Sequence, residues 1–173
     1  IIGLGPIGLL GIELAFLLGA SRVFAIDPVA SRRAMAERLG AIALAPGPEL
    51  VPQLRELTGG RGAQSVFEAS GASSAIASAL PLVASRGTVS FIGIPEPHDT
   101  LPLPLILFKN VTVRGGVCDV QNMWPHLMPL LLQGRIRAEG LFTHQFDLAQ
   151  GAEAYALFDS RDDGVIKIRI DVA

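Results

Sequence analysis

The sequence holds a single cysteine, Cys118, in 173 residues. One thiol excludes an intramolecular disulfide framework and a cysteine-rich metal cage, and it fits a reducing compartment. A cytoplasmic location is therefore expected. The three histidines, His98, His126 and His144, have no metal-like spacing. An excess of one charge is also lacking: 14 basic and 16 acidic residues give a formal charge of -2. That balance gives no electrostatic reason to expect nucleic acid or an anionic membrane as partner. Charges and prolines interrupt every apolar run before it could span a bilayer. There is no internal repeat, no low-complexity tract, no basic leader and no initiator Met. Ile1-Ile2 reads directly as the end of a strand, two residues before a glycine loop. A fragment lacking its amino-terminal part is expected, with trimmed residues as the alternative.

Half the residues are hydrophobic, enough for a substantial core. Strand and helix signals alternate, which predicts parallel α/β architecture. Ile1-Ile2 ends the first strand. A helix follows from Pro6 to Leu18, since Pro is tolerated in a first turn and Gly19 stops it. Strands are predicted at Arg22–Ile26, Ile42–Leu44, Ser65–Glu68, Thr88–Ile92 and Val111–Arg114. Helices are predicted from Ser31, as cap, to Leu39, over Glu49–Leu57 and over Ala72–Val83. The prolines at 95, 97, 102 and 104 place the stretch before Val111 at a sheet edge or outside it. The sum is a doubly wound, six-stranded parallel Rossmann sheet over residues 1–118. Residues 119–173 do not extend that plan. They read as an α+β appendage that packs elsewhere: a helix at Met123–Gln133, a strand at Leu141–Phe146, a helix at Ala149–Phe158 and a strand at Val165–Ile170. Asp162-Asp163 reads as a solvated turn.

Gly3-Leu4-Gly5-Pro6-Ile7-Gly8 sits between a strand and a helix. The first glycine allows a tight turn, the second admits a pyrophosphate against the backbone, and the third lets helix and strand pack closely. Phosphates would face the positive end of the helix. Pro6 has no N–H, so Ile7 and Gly8 must supply amides. Asp27 closes the second strand about 20 residues after the loop, where a carboxylate accepts from both adenosine ribose hydroxyls and repels a 2′-phosphate. NAD is expected over NADP, although Arg32 and Arg33 lie where arginines can hold a 2′-phosphate. Ser70-Gly71 and Ile92-Gly93-Ile94 fall at carboxyl ends of strands, where ligands bind; they read equally as cofactor contacts or ordinary turns. Cys118 reads as a small buried thiol and His144 as a structural histidine. No catalytic Ser-His-Asp set or carboxylate pair emerges.

Taken together, these motifs resemble the carboxy-terminal, NAD-binding half of a medium-chain dehydrogenase/reductase of the zinc-dependent alcohol dehydrogenase type. Gly19-Ala20-Ser21-Arg22-Val23, Phe67-Glu68-Ala69-Ser70-Gly71, Lys109-Asn110-Val111-Thr112-Val113-Arg114-Gly115 and Thr143-His144-Gln145-Phe146-Asp147-Leu148 share the likeness, which covers essentially the whole chain. The resemblance implies that Arg32 flanks the adenosine ribose. It puts Ile92, Ile94, Gly116 and Cys118 near the nicotinamide. Lys167 would meet the pyrophosphate, or be a surface lysine. It implies a dimer edge strand within Leu101–Val113 and an alcohol or carbonyl substrate. The zinc ligands would lie on a GroES-like domain, on which residues 119–173 would pack; nothing in this chain matches those ligands or the structural four-cysteine lobe. A zinc-independent quinone-reductase-like or NADP-dependent reductase, and a non-catalytic nucleotide-sensing module, are the alternatives.

Overall fold

A computed structural model describes residues 1–160 and 164–172. Asp162 and Asp163, expected in a turn, lie outside the described residues. The chain alternates helix and strand: α1 (Pro6–Leu17), β1 (Phe24–Ile26), α2 (Ala30–Arg38), β2 (Ile42–Leu44), α3 (Leu50–Leu57), β3 (Ala63–Glu68), α4 (Ser73–Leu82), β4 (Val83–Phe91), α5 (Leu103–Lys109) and β5 (Thr112–Gly115). After these come α6 (Val120–Leu132), β6 (Phe142–Asp147), α7 (Gly151–Ser160) and β7 (Lys167–Asp171).

All pairings are parallel. β1 pairs with β2, and β3–β4–β5 form a second group. Ile2 joins the two groups by bridging Ile26 on one side and Glu68 on the other. The spatial order is thus β2, β1, Ile2, β3, β4, β5. The six-stranded sheet expected is not formed: five strands flank one bridging residue. Gly3 turns the chain immediately after Ile2, at φ +89°, so only Ile1 and Ile2 are extended there. The order nonetheless reverses at Ile2, which creates the crevice where dinucleotides bind in open α/β sheets.

Successive side chains of a strand face opposite sides of a sheet. Accordingly Val23 and Ala25 enter one buried cluster with Leu4, Leu9, Ile12 and Ala36, while Ile26 enters another with Leu44, Leu54, Val66, Leu80, Leu82 and Val89. Each fully buried Leu or Ile contributes about 1.5–3 kcal/mol. Helices α1 and α2 supply the first cluster, α3 and α4 the second, so both faces of the sheet are covered.

Several expectations are corrected. Val29, not Ser31, occupies the N-cap of α2, because the helix begins one residue before that serine. The segment Leu101–Val113 is mostly helix α5, not an edge strand. Pro102 is its N-cap and Pro104 lies in its first turn, where a missing N–H costs nothing. The edge strand is β5. Helix α6 begins at Val120 because Asp119 caps it, accepting from the Asn122 N–H at 3.3 Å. Residues in the connections between the carboxy-terminal elements reach α1. Leu141 and Ile166 join Leu4, Leu9 and Ile12 in one cluster, and the Arg137 N–H donates to Glu13 on α1 at 2.9 Å. β6 and β7 form a separate parallel pair.

Among the described residues no helix is long and apolar enough to cross a membrane. A cavity of about 1150 Å³ opens at the amino ends of the strands, lined by Ile1, Phe24, Ser65 and Ala84 among others. It touches none of Gly5, Asp27 or Glu68. Cofactor chemistry must therefore be sought at the opposite edge.

Candidate cofactor site at the carboxyl edge

The glycine loop is held by steric necessity at two of its three glycines. A Cβ on Gly8 would stand 1.8 Å from the Gly3 carbonyl oxygen, and one on Gly3 would stand 2.7 Å from the Ser70 Cβ. Gly5 is different. Its φ is -71°, ordinary for any residue, and a Cβ there would meet nothing within 4 Å. Gly5 thus leaves an opening beside the loop, with no packing reason to be glycine. It is also the N-cap of α1, with no side-chain cap. The first-turn amides of Ile7 and Gly8 have no helical acceptor, and Pro6 has no amide to satisfy. Open space, unfilled donors and the positive end of a twelve-residue helix coincide, a combination suited to a phosphate group.

Asp27 directly follows β1 and is buried, with 4% of its surface exposed. One carboxylate oxygen accepts from the Leu4 N–H and the other from the Val29 N–H, both at 2.8 Å. Each oxygen keeps a further lone pair for a ligand hydroxyl. Asp27 therefore braces the glycine loop, a role that spacing alone did not reveal. The two neighbouring arginines differ. Arg33 spends its guanidinium on the carbonyls of Asp27 and Pro28, at 2.7 Å each. Arg32 lies 3.9 Å from the Asp27 carboxylate and is partly exposed, free to flank a ribose as the resemblance implies.

Ser70 and Gly71 follow β3, and Ile92, Gly93 and Ile94 follow β4. The structure packs these two turns together: a Cβ on Gly71 would stand 2.4 Å from the Ile94 carbonyl oxygen, and one on Gly93 would stand 2.0 Å from the Gly71 nitrogen. Between them lies Glu68, which sequence reasoning quoted only within a motif. It is fully buried. Its carboxylate accepts from the Ser70 N–H at 2.8 Å, the Ser70 hydroxyl at 2.6 Å and the Gly71 N–H at 3.1 Å. A charged residue directly after the apolar pair Val66-Phe67, in the last position of the strand, was the available signal.

The remaining expected residues are less tightly gathered. Gly116 follows β5, whose last residue Gly115 is in register with Phe91, so Gly116 stands at the same edge as Ile92. Ile94 projects with 88% of its surface exposed. Cys118 is exposed, which corrects the expectation of a buried thiol; β5 is the sheet edge, and nothing covers the segment around Val117, itself 99% exposed. Lys167 is exposed at the start of β7, beside Ile166, which packs with the loop residue Leu4. No contact brings its side chain to the glycine loop. His144 sits on β6 with Nδ1 3.0 Å from the Thr143 hydroxyl, in keeping with a structural role.

Comparison with known proteins agrees with this geometry. A family model described as zinc-binding dehydrogenase matches residues 6–133. A probable zinc-binding alcohol dehydrogenase of Mycobacterium tuberculosis is 38% identical over 165 residues, covering 93% of this chain and 42% of that protein. An L-threonine 3-dehydrogenase of Bacillus subtilis is 32% identical over 170 residues, covering 96% of this chain and 49% of that protein. The solved alcohol dehydrogenase from Thermus sp. ATN1 superposes with a TM-score of 0.91 at 34% identity, covering 99% of this chain and 50% of that one. The chain spans about half the length of the curated relatives it matches. On the family match and on these relatives, the chain belongs to the zinc-binding dehydrogenase family.

Proposed function

We propose that this chain is the cofactor-binding half of an NAD-dependent, zinc-type alcohol or polyol dehydrogenase. The observation that carries the reading is the buried Asp27 carboxylate, tied to the Leu4 N–H of the glycine loop at 2.8 Å. It supports a ribose with free hydroxyls and disfavours a 2′-phosphate. NAD supplies a hydride acceptor when bound. The residues of this chain do the binding and orienting: Ile7 and Gly8 amides toward the pyrophosphate, Asp27 and Arg32 toward the adenosine ribose. Ser70, Gly71, Ile92, Gly93, Ile94, Gly116 and Cys118 border the nicotinamide half, and Lys167, exposed at the start of β7, is assigned to the pyrophosphate by the resemblance alone.

Metal fits this chain poorly. Among the described residues no group of three or more His, Cys, Asp or Glu could hold an ion. The zinc, and with it the alcohol or carbonyl substrate, falls to the rest of the enzyme. Residues 1–118 serve as the dinucleotide unit and 119–173 as the segment that meets a catalytic domain. Exposed Trp124, Leu132, Tyr155 and Phe158 in that segment support such a contact. The exposed edge of β5, with Val113 on it and Leu107 and Phe108 on α5 beside it, suits pairing with a second copy. The competing NADP reading draws on Arg32 alone.

Titration of the 173-residue chain with NADH, followed by nicotinamide fluorescence, tests the division of labour alongside an alcohol-oxidation assay. Saturable binding without turnover is expected. Turnover by the chain alone, or no binding, would overturn the reading.

A further inference from the structure

Glu68 holds a charge that no cation matches. Its carboxylate is fully buried, and its hydrogen-bond donors are the Ser70 N–H, the Ser70 hydroxyl and the Gly71 N–H, all neutral groups. Among the described residues, ion pairs within 4 Å join only Arg32 to Asp27 and Arg169 to Asp171. Buried carboxylates without a cation are rare, because desolvation is costly.

The place of this charge matters. A Cβ on Gly93 would stand 2.6 Å from its Oε2, and the Glu68 main-chain carbonyl accepts from the Ile92 N–H at 3.0 Å and the Gly93 N–H at 3.3 Å. Glu68 therefore lies under the turns that end β3 and β4. A doubly wound sheet takes one nucleotide on each half. Asp27 lies on the β1–β2 half and suits the adenosine ribose. The nicotinamide nucleotide then falls on the half that carries Glu68.

We infer that Glu68 sets this site's preference between the oxidised and reduced forms of the nicotinamide cofactor, through its buried negative charge. The inference rests on the cofactor reading above. The oxidised ring is cationic and the reduced ring is neutral. A fixed anion in a region of low dielectric attracts only the former, and the attraction is far less screened than in water. Glu68 thus has two separable effects. Its hydrogen bonds hold the Ser70-Gly71 turn for both forms, and its charge favours one form.

The test is the ratio of dissociation constants, NADH over NAD, measured by calorimetry on the 173-residue chain. Glu68→Gln is expected to weaken both forms and to lower the ratio about five- to tenfold. Glu68→Asp keeps the charge and is expected to weaken both while holding the ratio within about twofold. Ser70→Ala removes a neutral donor that spreads the charge, so the ratio is expected to rise. A wild-type ratio in Glu68→Gln overturns the inference. Should that variant not fold, an unchanged ratio in Ser70→Ala overturns it instead. If the wild-type chain binds neither form, the cofactor reading fails and takes this one with it. If it binds both and no variant moves the ratio, the charge effect alone fails.

Discussion

Gly5 and Gly8 are the same residue type three positions apart, yet they answer to different constraints. A methyl on Gly8 would collide with the Gly3 carbonyl oxygen at 1.8 Å. Gly8→Ala should therefore lower unfolding free energy by about 2–4 kcal/mol, measured by urea denaturation. A methyl on Gly5 meets nothing in the free protein. Gly5→Ala should cost only about 0.5–1 kcal/mol, the ordinary preference for Gly over Ala at an N-cap, while NAD affinity falls tenfold or more. Equal effects of the two variants on stability would contradict the assignment. The sequence could be read this far because each glycine's constraint is local. The place of Glu68 could not: its donors lie two and three residues on, but its contact with Gly93 comes from a turn whose approach depends on the whole sheet.

At the scale of elements, the last turn of α4 shows how one side chain fixes a helix end. Lys109, closing α5, donates to the carbonyls of Leu80 at 2.8 Å, Pro81 at 3.2 Å and Val83 at 2.7 Å. These are carbonyls a helix end otherwise leaves without partners. Burial, and then the positive charge of Arg55, push the Lys109 ammonium below its ordinary lysine value, yet the three carbonyls compensate its desolvation. Lys109→Met should cost about 1–3 kcal/mol in urea denaturation. A change below about 0.5 kcal/mol would show that water replaces the ammonium without loss. The strands and α1 to α4 were legible from alternation and from helix stop signals. α5 was not: prolines at 102 and 104 argued against regular structure, but both fall at a helix start, where proline is tolerated.

The whole molecule is organised by Ile2, the one described residue that bridges both β1 and β3. Its neighbour Ile1 is held as a strand residue is, its main-chain nitrogen donating to the Phe24 carbonyl at 2.8 Å. The β5 edge carries its own prediction. On the proposed pairing of β5 with a second copy, the chain should sediment as a dimer and Val113→Lys as a monomer; equal masses would remove the edge from consideration. Alternating strands and helices revealed the doubly wound plan, but not that Leu141 and Ile166 return to pack on α1. Their partners lie more than a hundred residues away in sequence.

On the proposed reading Asp27, fixed by the Leu4 and Val29 amides, selects NAD over NADP. Calorimetric titration of the chain with NAD and with NADP tests it most directly. NAD should bind at least about tenfold more tightly, a difference of about 1.4 kcal/mol. NADP binding as tight as NAD, or tighter, would mean that Asp27 does not exclude a 2′-phosphate.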